Sequence, residues 1–545
     1  MRLEKIFYIS ILFWIVTIIF KSRFFLHMIQ LQGYRNEEYR KWIKTSTKAY
    51  PKRMKISLIV LTIILVFQMI YTGYNKNNIV LFLFNLLWIV SIFYTFNFKR
   101  EESKKELVFT PRAKRLYVSN FLVNFLELLI LFMIVKKLAS DIIIYMPVIL
   151  YGLFIIYFLQ SGNIILANII VTPVERRINE YYYTMAQEKI KSMEDLNTVG
   201  ITGSFGKTST KFIVDTILKE KYRVLKTPES YNTPMGISKV INSELTKDYE
   251  IFIAEMGARY IGDIKELSKL TNPKIGIITS IGPTHLETFK NIENIMKTKY
   301  ELIEELPSDG IAIFNYDNEY VKKLADKTFK EKILYGLENT EKLDIYATDI
   351  EVSELGSTFM LKDKSGEEIK CTTKLLGKHN IYNILAGASV AKALGLTFKE
   401  IKRGISKVEP IPHRLNIINP GTGVIVIDDA FNSNPDGAEA ALEVLSQFKE
   451  GRKIIITPGM VELGDKEEEA NREFGISIGN VCDYVILVGE KRTRPIYDGL
   501  KNSGYDEENI FVVKNLDEAT SKLQEIVKSK DIVLFENDLP DNYEE

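Results

Sequence analysis

The residues 199–202 read as a short strand that runs into Gly203-Ser204-Phe205-Gly206-Lys207-Thr208-Ser209, and a helical pattern follows over 209–220. Glycines let the main chain wrap around phosphate oxygens, and a helix N-terminus adds amide donors and the positive end of its dipole. In such a loop Lys207 reaches the β- and γ-phosphates of a nucleotide and Thr208 holds Mg2+, while Gly203, Ser204, Gly206 and Ser209 complete the cradle. The spacing departs from the standard phosphate loop: Ile201 stands where the first glycine belongs, and Gly200 is one residue earlier. The strand-to-helix setting and the Gly-Lys-Thr run keep the reading.

An acidic residue and a histidine follow at suggestive places. Glu255 ends a strand in Ala254-Glu255-Met256-Gly257, at the C-terminal sheet edge where α/β proteins bind ligands. His285 follows the next strand, in Ile281-Gly282-Pro283-Thr284-His285. A lone loop histidine reads as a satisfied residue. One strand after Glu255 it reads as a ligand, and the pair is placed to complete a two-magnesium site beside Thr208. On composition alone, Lys299 reads as a plain surface helix lysine.

These residues need a scaffold, and from 196 onward the pattern supplies one. Val/Ile-rich runs at 198–202, 251–255 and 274–281 alternate with longer helical patterns, which implies a mainly parallel sheet covered by helices. A second series runs through 424–429, 453–457, 484–488, 510–513 and 532–535, and the segment 344–374 has more strand character. The fold class expected is multi-domain: an N-terminal α-helical transmembrane bundle, an α/β P-loop ATPase domain and a C-terminal Rossmann-like α/β domain. The boundaries expected are 1–172 for the membrane region, 173–195 for an amphipathic juxtamembrane linker helix, 196–408 for the central domain and 409–545 for the last.

Five apolar runs near 6–20, 56–72, 79–98, 119–135 and 142–160 have the length of membrane-crossing helices. The first lacks a small-residue cleavage site and reads as an uncleaved anchor. Lys and Arg crowd the loops between the first and second runs and between the third and fourth. The positive-inside rule then places the N-terminus outside and everything after about 172 in the cytoplasm. Asn124 and Glu127, inside the fourth run, are expected to face the bundle and satisfy each other or a neighbouring helix.

Composition excludes several classes. Lys and Arg number 71 against 70 Asp and Glu, so no global basic signature of a nucleic-acid binder exists. Two cysteines, Cys371 and Cys482, exclude a disulfide scaffold and a four-cysteine zinc site, and fit a reducing compartment.

Several motifs together resemble the Mur ligase family. They are Thr202-Gly203-Ser204-Phe205-Gly206-Lys207-Thr208, Glu255-Met256-Gly257, the segment 272–287 through His285, Lys299-Tyr300-Glu301, Leu376-Gly377-Lys378-His379-Asn380-Ile381-Tyr382-Asn383, Pro412-His413-Arg414, Asp428-Asp429-Ala430-Phe431-Asn432 and Gly459-Met460-Val461. They occur in family order, and the likeness is closest to the branch that adds D-alanyl-D-alanine to a UDP-muramoyl tripeptide. The resemblance implies an ATP- and Mg2+-dependent ligase that phosphorylates a substrate carboxylate to an acyl phosphate, which an amine then attacks. It further implies that Thr208, Glu255, His285 and a carbamylated Lys299 hold magnesium and that Lys207 offsets phosphate charge. Asn380 and Asn383 would contact adenine, Arg414 the phosphates, and Asp428 with Asn432 the nucleotide from the C-terminal side.

Two departures limit the analogy. In the family's soluble enzymes a small N-terminal domain binds the uridine nucleotide of the substrate, and here membrane helices take its place. The segment 227–237 matches the family's substrate loop only loosely. The partners expected are a cell-wall precursor or other carboxylate, an amine and membrane lipid, with no nucleic acid. A poly-γ-glutamate or other envelope ligase is the alternative substrate reading, and an inactive nucleotide-binding membrane module the non-enzymatic one.

Overall fold

The computed structural model describes residues 3–46, 49–72, 78–95, 106–138, 142–229, 231–353, 356–418, 421–430, 434–461 and 463–538. Two compact units divide at Ile178/Asn179.

The first unit is helical: α1 (Leu3–Leu31), α2 (Asn36–Thr45), α3 (Lys52–Thr72), α4 (Asn78–Thr95), α5 (Pro111–Leu138), α6 (Ile142–Phe158) and the first part of α7 (Gln160–Lys191). Among the described residues two helices, Lys5–Leu31 and Pro111–Lys137, are long and apolar enough to cross a membrane. The count becomes three if Met146–Phe158 and Gln160–Lys191, bent by 66° at their junction, form one span. The apolar helix Leu81–Thr95 is shorter. The first apolar run does not stop at Lys21. Helix α1 continues through it, because the ammonium lies 3.6 Å from the centre of the Tyr157 ring and finds its partner inside the unit.

This unit is apolar both inside and out, with a cluster of polar side chains buried among the apolar ones. Ser22, Asn120, Asn124, Gln160 and Asn163 are buried, while Ile59, Ile63, Phe67, Phe93, Leu126, Ile130 and Met133 are exposed. The buried polar groups are linked to one another: Asn120 donates to Ser22 at 3.0 Å, Ser22 to Gln160 at 2.9 Å and Gln160 to Asn124 at 2.6 Å. Asn163 donates to Glu127 at 2.7 Å, so both Asn124 and Glu127 of α5 find partners on α7. Arg115 holds Glu175 with two bonds of 2.5 and 2.9 Å.

The second unit begins within α7. Its apolar stripe is divided there: Ala186 and Ile190 are buried in the core, whereas Tyr181, Tyr182 and Met185 stand exposed. Nine strands follow: β1 (Asn197–Thr202), β2 (Val224–Lys226), β3 (Ile251–Glu255), β4 (Ile275–Ile278), β5 (Ile311–Asn315), β6 (Lys332–Gly336), β7 (Ile345–Ser353), β8 (Gly356–Asp363) and β9 (Glu368–Thr373). They form one mixed sheet in the order β2-β3-β1-β4-β5-β6-β7-β8-β9, parallel up to β7 and antiparallel from β7 to β9. The helices of this part are α8 (Lys207–Leu218), α9 (Pro234–Ser243), α10 (Asp263–Thr271), α11 (Leu286–Phe289), α12 (Ile292–Glu304), α13 (Glu319–Asp326), α14 (Lys378–Ala393) and α15 (Phe398–Ser406). Strands β1, β3 and β4 are buried along almost their whole length, as parallel strands covered on both faces must be.

A second sheet has six strands: β10 (Asn416–Ile418), β11 (Ile425–Asp429), β12 (Lys453–Thr457), β13 (Tyr484–Val488), β14 (Ile510–Val513) and β15 (Ile532–Glu536). Their order is β10-β11-β15-β12-β13-β14, parallel except for β10 against β11. Helices α16 (Pro435–Ser446), α17 (Glu467–Gly479), α18 (Arg494–Asn502) and α19 (Leu516–Ile526) complete this part. The expected strand series of both sheets is present. The short antiparallel β10 carries little periodicity of its own and was not foreseen.

Helix α8 can seat against α15 only because position 404 lacks a side chain: a Cβ there would stand 2.6 Å from Ile217 Cα. Gly404→Val should therefore cost about 1–3 kcal/mol through overpacking. A lower denaturant midpoint with an unchanged slope in the full-length protein would show it.

Candidate functional site

Strand β1 is where the sheet order turns, since β2 and β4, its successors in the chain, lie on opposite sides of it. Crevices at such points, beyond the carboxyl ends of the strands, are where open α/β sheets bind ligands. The register puts Ile201 opposite Glu255 and Thr202 opposite Ile278, so the 203–208 loop, the end of β3 and the loop after β4 share one sheet edge. Gly206 caps α8 with φ 75°, a left-handed conformation that a side chain resists. Asn383 explains the rest of the constraint, because a Cβ on Gly206 would lie 2.6 Å from its Oδ1.

The loop is held from the β4 side. Ser204 N–H donates to Ser280 O at 2.7 Å, Phe205 N–H to Ser280 Oγ at 3.1 Å, and the Thr279 hydroxyl to Phe205 O. The Ser204 hydroxyl donates to Gly282 O at 3.0 Å. Lys207 folds back along the loop, donating to Gly203 O at 2.7 Å and Ser204 O at 3.1 Å. Burial brings its ammonium down to about 8; Glu255 acts in the opposite direction and Arg414 in the same one.

Thr208 and Glu255 meet directly, the hydroxyl donating to Oε1 at 3.1 Å. Glu255 is 1% exposed, and its partners satisfy both oxygens. Asn232 Nδ2 donates to Oε1 at 3.1 Å and Lys211 Nζ to Oε2 at 3.0 Å. His285 caps the short helix α11 with φ 50° and is partly exposed. Among the described residues no three or more His, Cys, Asp or Glu side chains converge on one point. Glu255 and His285 therefore offer at most two protein ligands of those types. The Glu255 carboxylate with the Thr208 hydroxyl suits Mg2+, which usually takes one or two carboxylates and completes its shell with water and phosphate oxygens.

Lys299 corrects the expectation of composition. It is not a surface lysine but 3% exposed, on α12. Burial drives its ammonium well below the ordinary value; Lys207 pushes the same way, while Asp263, Glu301 and Glu255 oppose. Burial of this kind makes a lysine easier to deprotonate than one on the surface.

The helix α14 brings Asn380 and Asn383 to the same place. Asn383 Oδ1 accepts from the Thr210 hydroxyl of α8 at 3.1 Å, and Asn380 Nδ2 donates to Leu376 O at 2.9 Å. From the C-terminal part, Arg414 is close enough for Asp429 and Glu255 to hold up its charge against burial. Asp428 is engaged with His413 Nδ1 at 2.9 Å. Burial raises its neighbour Asp429 to about 6. Asp436 of α16 also reaches the loop, its Oδ2 lying 3.0 Å from where a Cβ on Gly282 would stand. Asn432 lies outside the described residues. The structure thus gathers Ser204, Lys207, Thr208, Glu255, Asn383 and Arg414 around the loop and leaves Asp428 paired elsewhere. Sequence reasoning gave no role to Lys211, Asn232, Thr279 or Asp429, although Asp429 stands in the Asp428-Asp429-Ala430 motif and Asn232 in the segment 227–237.

Removing the Glu255 charge should leave the Lys211 ammonium buried without compensation. Glu255→Gln should destabilise the protein by about 3–5 kcal/mol, and adding Lys211→Met should restore most of it. Denaturant titration of the two variants beside the parent protein measures both.

Comparison with known proteins gives consistent matches over this unit. The profile of the Mur ligase middle domain matches residues 201–391, and that of the Mur ligase, glutamate ligase domain matches 413–536. The UDP-N-acetylmuramoyl-tripeptide--D-alanyl-D-alanine ligase of Bacillus subtilis is 29% identical over 65% of this chain and 76% of its own length. The enzyme of the same name from Escherichia coli is 30% identical over 55% of this chain and 66% of its own length. The one from Buchnera aphidicola is 32% identical, and the chain spans 62% of it, somewhat under two thirds. Among solved structures, MurF ligase from Thermotoga maritima in complex with ADP aligns with a TM-score of 0.60 at 27% identity, covering 67% of this chain and 81% of that one. MurF from Acinetobacter baumannii shares the fold with a TM-score of 0.60 at 24% identity, covering 66% of this chain and 77% of that one.

Proposed function

Because the chain belongs to the Mur ligase family, we propose that it is a membrane-anchored, ATP-dependent amide ligase that works through an acyl phosphate. The amine added is D-alanyl-D-alanine or a similar one, and the acceptor is a peptidoglycan precursor. The observation that carries this reading is the meeting of Thr208 and Glu255 at 3.1 Å where the phosphate loop enters α8. The solved relative with ADP bound supports a nucleotide at that place.

ATP with Mg2+ supplies the phosphoryl group and the positive charge that lets it approach a carboxylate. Thr208, Glu255, His285 and carbamylated Lys299 are the residues that would hold the magnesium. Lys207, already beside the loop carbonyls, turns to the phosphate oxygens and offsets their repulsion for the attacking carboxylate. Asn380 and Asn383 hold the base, Arg414 the phosphates, and Asp428 with Asn432 the ribose side. The His413–Asp428 pair has to open for that last contact. The acyl phosphate then meets the amine, and the tetrahedral adduct collapses to an amide and inorganic phosphate.

The apolar exterior of the helical unit supports its place in a bilayer: Ile, Leu and Phe stand exposed along its helices while amides are buried among them. With the Lys- and Arg-rich loops on the inner side, the N-terminus faces out and residues after about 172 lie in the cytoplasm. The domain limits proposed are 1–172, 173–195, 196–408 and 409–545. The matches to the relatives fall on the second unit. A helical membrane unit in the same chain favours, as a second reading, an acceptor that is lipid-linked or part of a growing envelope polymer such as poly-γ-glutamate.

ADP release by the full-length protein should be stimulated by UDP-muramoyl tripeptide plus D-alanyl-D-alanine under the first reading, and by the lipid-linked precursor alone under the second. Stimulation by neither set would end both. Lys207→Ala should lower turnover by about 100- to 1,000-fold, the scale seen when one preorganised charge partner is lost. Lys299→Ala should fall as far and recover in part with added short carboxylates; full activity without them would remove Lys299 from the metal site.

A further inference from the structure

Lys211 lies on α8 and is 0% exposed, yet it belongs to none of the roles above. Its ammonium is shared between two acceptors, Glu255 Oε2 at 3.0 Å and the main-chain carbonyl of Glu229. Glu229 has φ 38°, a left-handed conformation that a non-glycine residue keeps only when its surroundings impose it. The same stretch is tied to Glu255 twice more. Glu255 N–H donates to Thr227 Oγ1 at 3.2 Å, and Asn232 Nδ2 donates to Glu255 Oε1 at 3.1 Å. Gly257 N–H, two residues past Glu255, donates to Asn232 O at 3.0 Å.

We propose that Lys211 is a positioning residue that couples cation occupancy at Glu255 to the conformation of residues 227–229. The proposal rests on the reading of Glu255 as a metal-site carboxylate. Both oxygens of Glu255 already have donors, so a divalent cation that binds it competes with them. The Asn232 amide and the Thr208 hydroxyl on Oε1 can rearrange, since both are neutral. The Lys211 ammonium cannot leave: it is buried, and a cation at the carboxylate repels it while removing the negative charge that compensates it. Its bond to Oε2 weakens, the ammonium shifts, and the carbonyl of Glu229 loses the contact that holds its backbone. Cation and nucleotide binding thus loosen 227–229 through Lys211, and 231–233 through Asn232. These residues follow β2 and lie beside Glu255, at the edge of the site.

Amide hydrogen exchange of the full-length protein, with and without ADP plus MgCl2, tests the coupling, with calorimetry to confirm that Mg2+-ADP binds. In the parent protein Mg2+-ADP should speed exchange of the two amides of this stretch, those of Thr227 and Glu229, by about fivefold or more, the lower range of site-to-site coupling. Lys211→Met should show fast exchange there before any addition and no further response. Lys211→Arg, which keeps the charge and a donor, should retain the response. Asn232→Ala should speed 231–233 and leave the response at 227–229 in place. A parent-like response in Lys211→Met, or no response in a parent protein that binds Mg2+-ADP, overturns the proposal. If Lys211→Met does not fold, loss of the 227–229 response in Asn232→Ala overturns it equally, because the coupling then runs through Asn232. Failure of the parent protein to bind Mg2+-ADP overturns the nucleotide-site reading itself, and this inference with it.

Discussion

The catalytic unit is organised around one buried carboxylate at the edge of its phosphate loop. Glu255 closes a strand that is covered on both sides, and Thr208, Asn232 and Lys211 surround its carboxylate with donors. A carboxylate without such donors is costly in a low-dielectric interior. Two of its three partners stand on α8, so the helix that presents the phosphate loop also neutralises the carboxylate. The anion-binding loop and the metal-site acid are thereby one mechanical object, and a shift of either is felt by the other.

Around this centre, charge is graded. Lys207 and Lys211 lie one turn apart on α8; one faces the loop carbonyls and the other the carboxylate. Lys299 approaches from α12, and burial and the charge of Lys207 both weaken its hold on a proton. Arg414 approaches from the C-terminal part, its charge kept by Asp429 and Glu255. Such a set leaves a surplus of positive charge beside one acid. That is an environment suited to a polyphosphate and hostile to a bare cation, which fits a metal that arrives with its nucleotide.

The helical unit solves the opposite problem. Inside the helical unit Asn120, Asn124, Gln160 and Asn163 turn to each other and to Ser22 and Glu127. Trp14 and Trp88 donate their indole N–H groups to the carbonyls of Leu153 and Leu150 in the same way. Apolar side chains fill the rest of the interior and cover much of the outside as well.

Much of this was readable in the chain itself. Strands such as Ile251–Glu255 and Lys453–Thr457 announce themselves because doubly covered parallel strands need unbroken runs of β-branched residues. The Gly-Lys-Thr turn announces itself because few residue types permit its backbone, and the apolar runs because a bilayer demands their length. Local chemistry fixes such features, so local sequence reports them. What joins residues distant in sequence stayed hidden. Nothing near Lys299 says that it is buried, nothing near Asn383 says that it meets Gly206, and Lys211 looks like any helix lysine until Glu255 and Glu229 are packed against it. The sequence by itself determined the elements, the phosphate loop and the family. Only the tertiary structure decided which charges are buried together, because burial is a property of neighbours that strand order and helix packing bring in from afar.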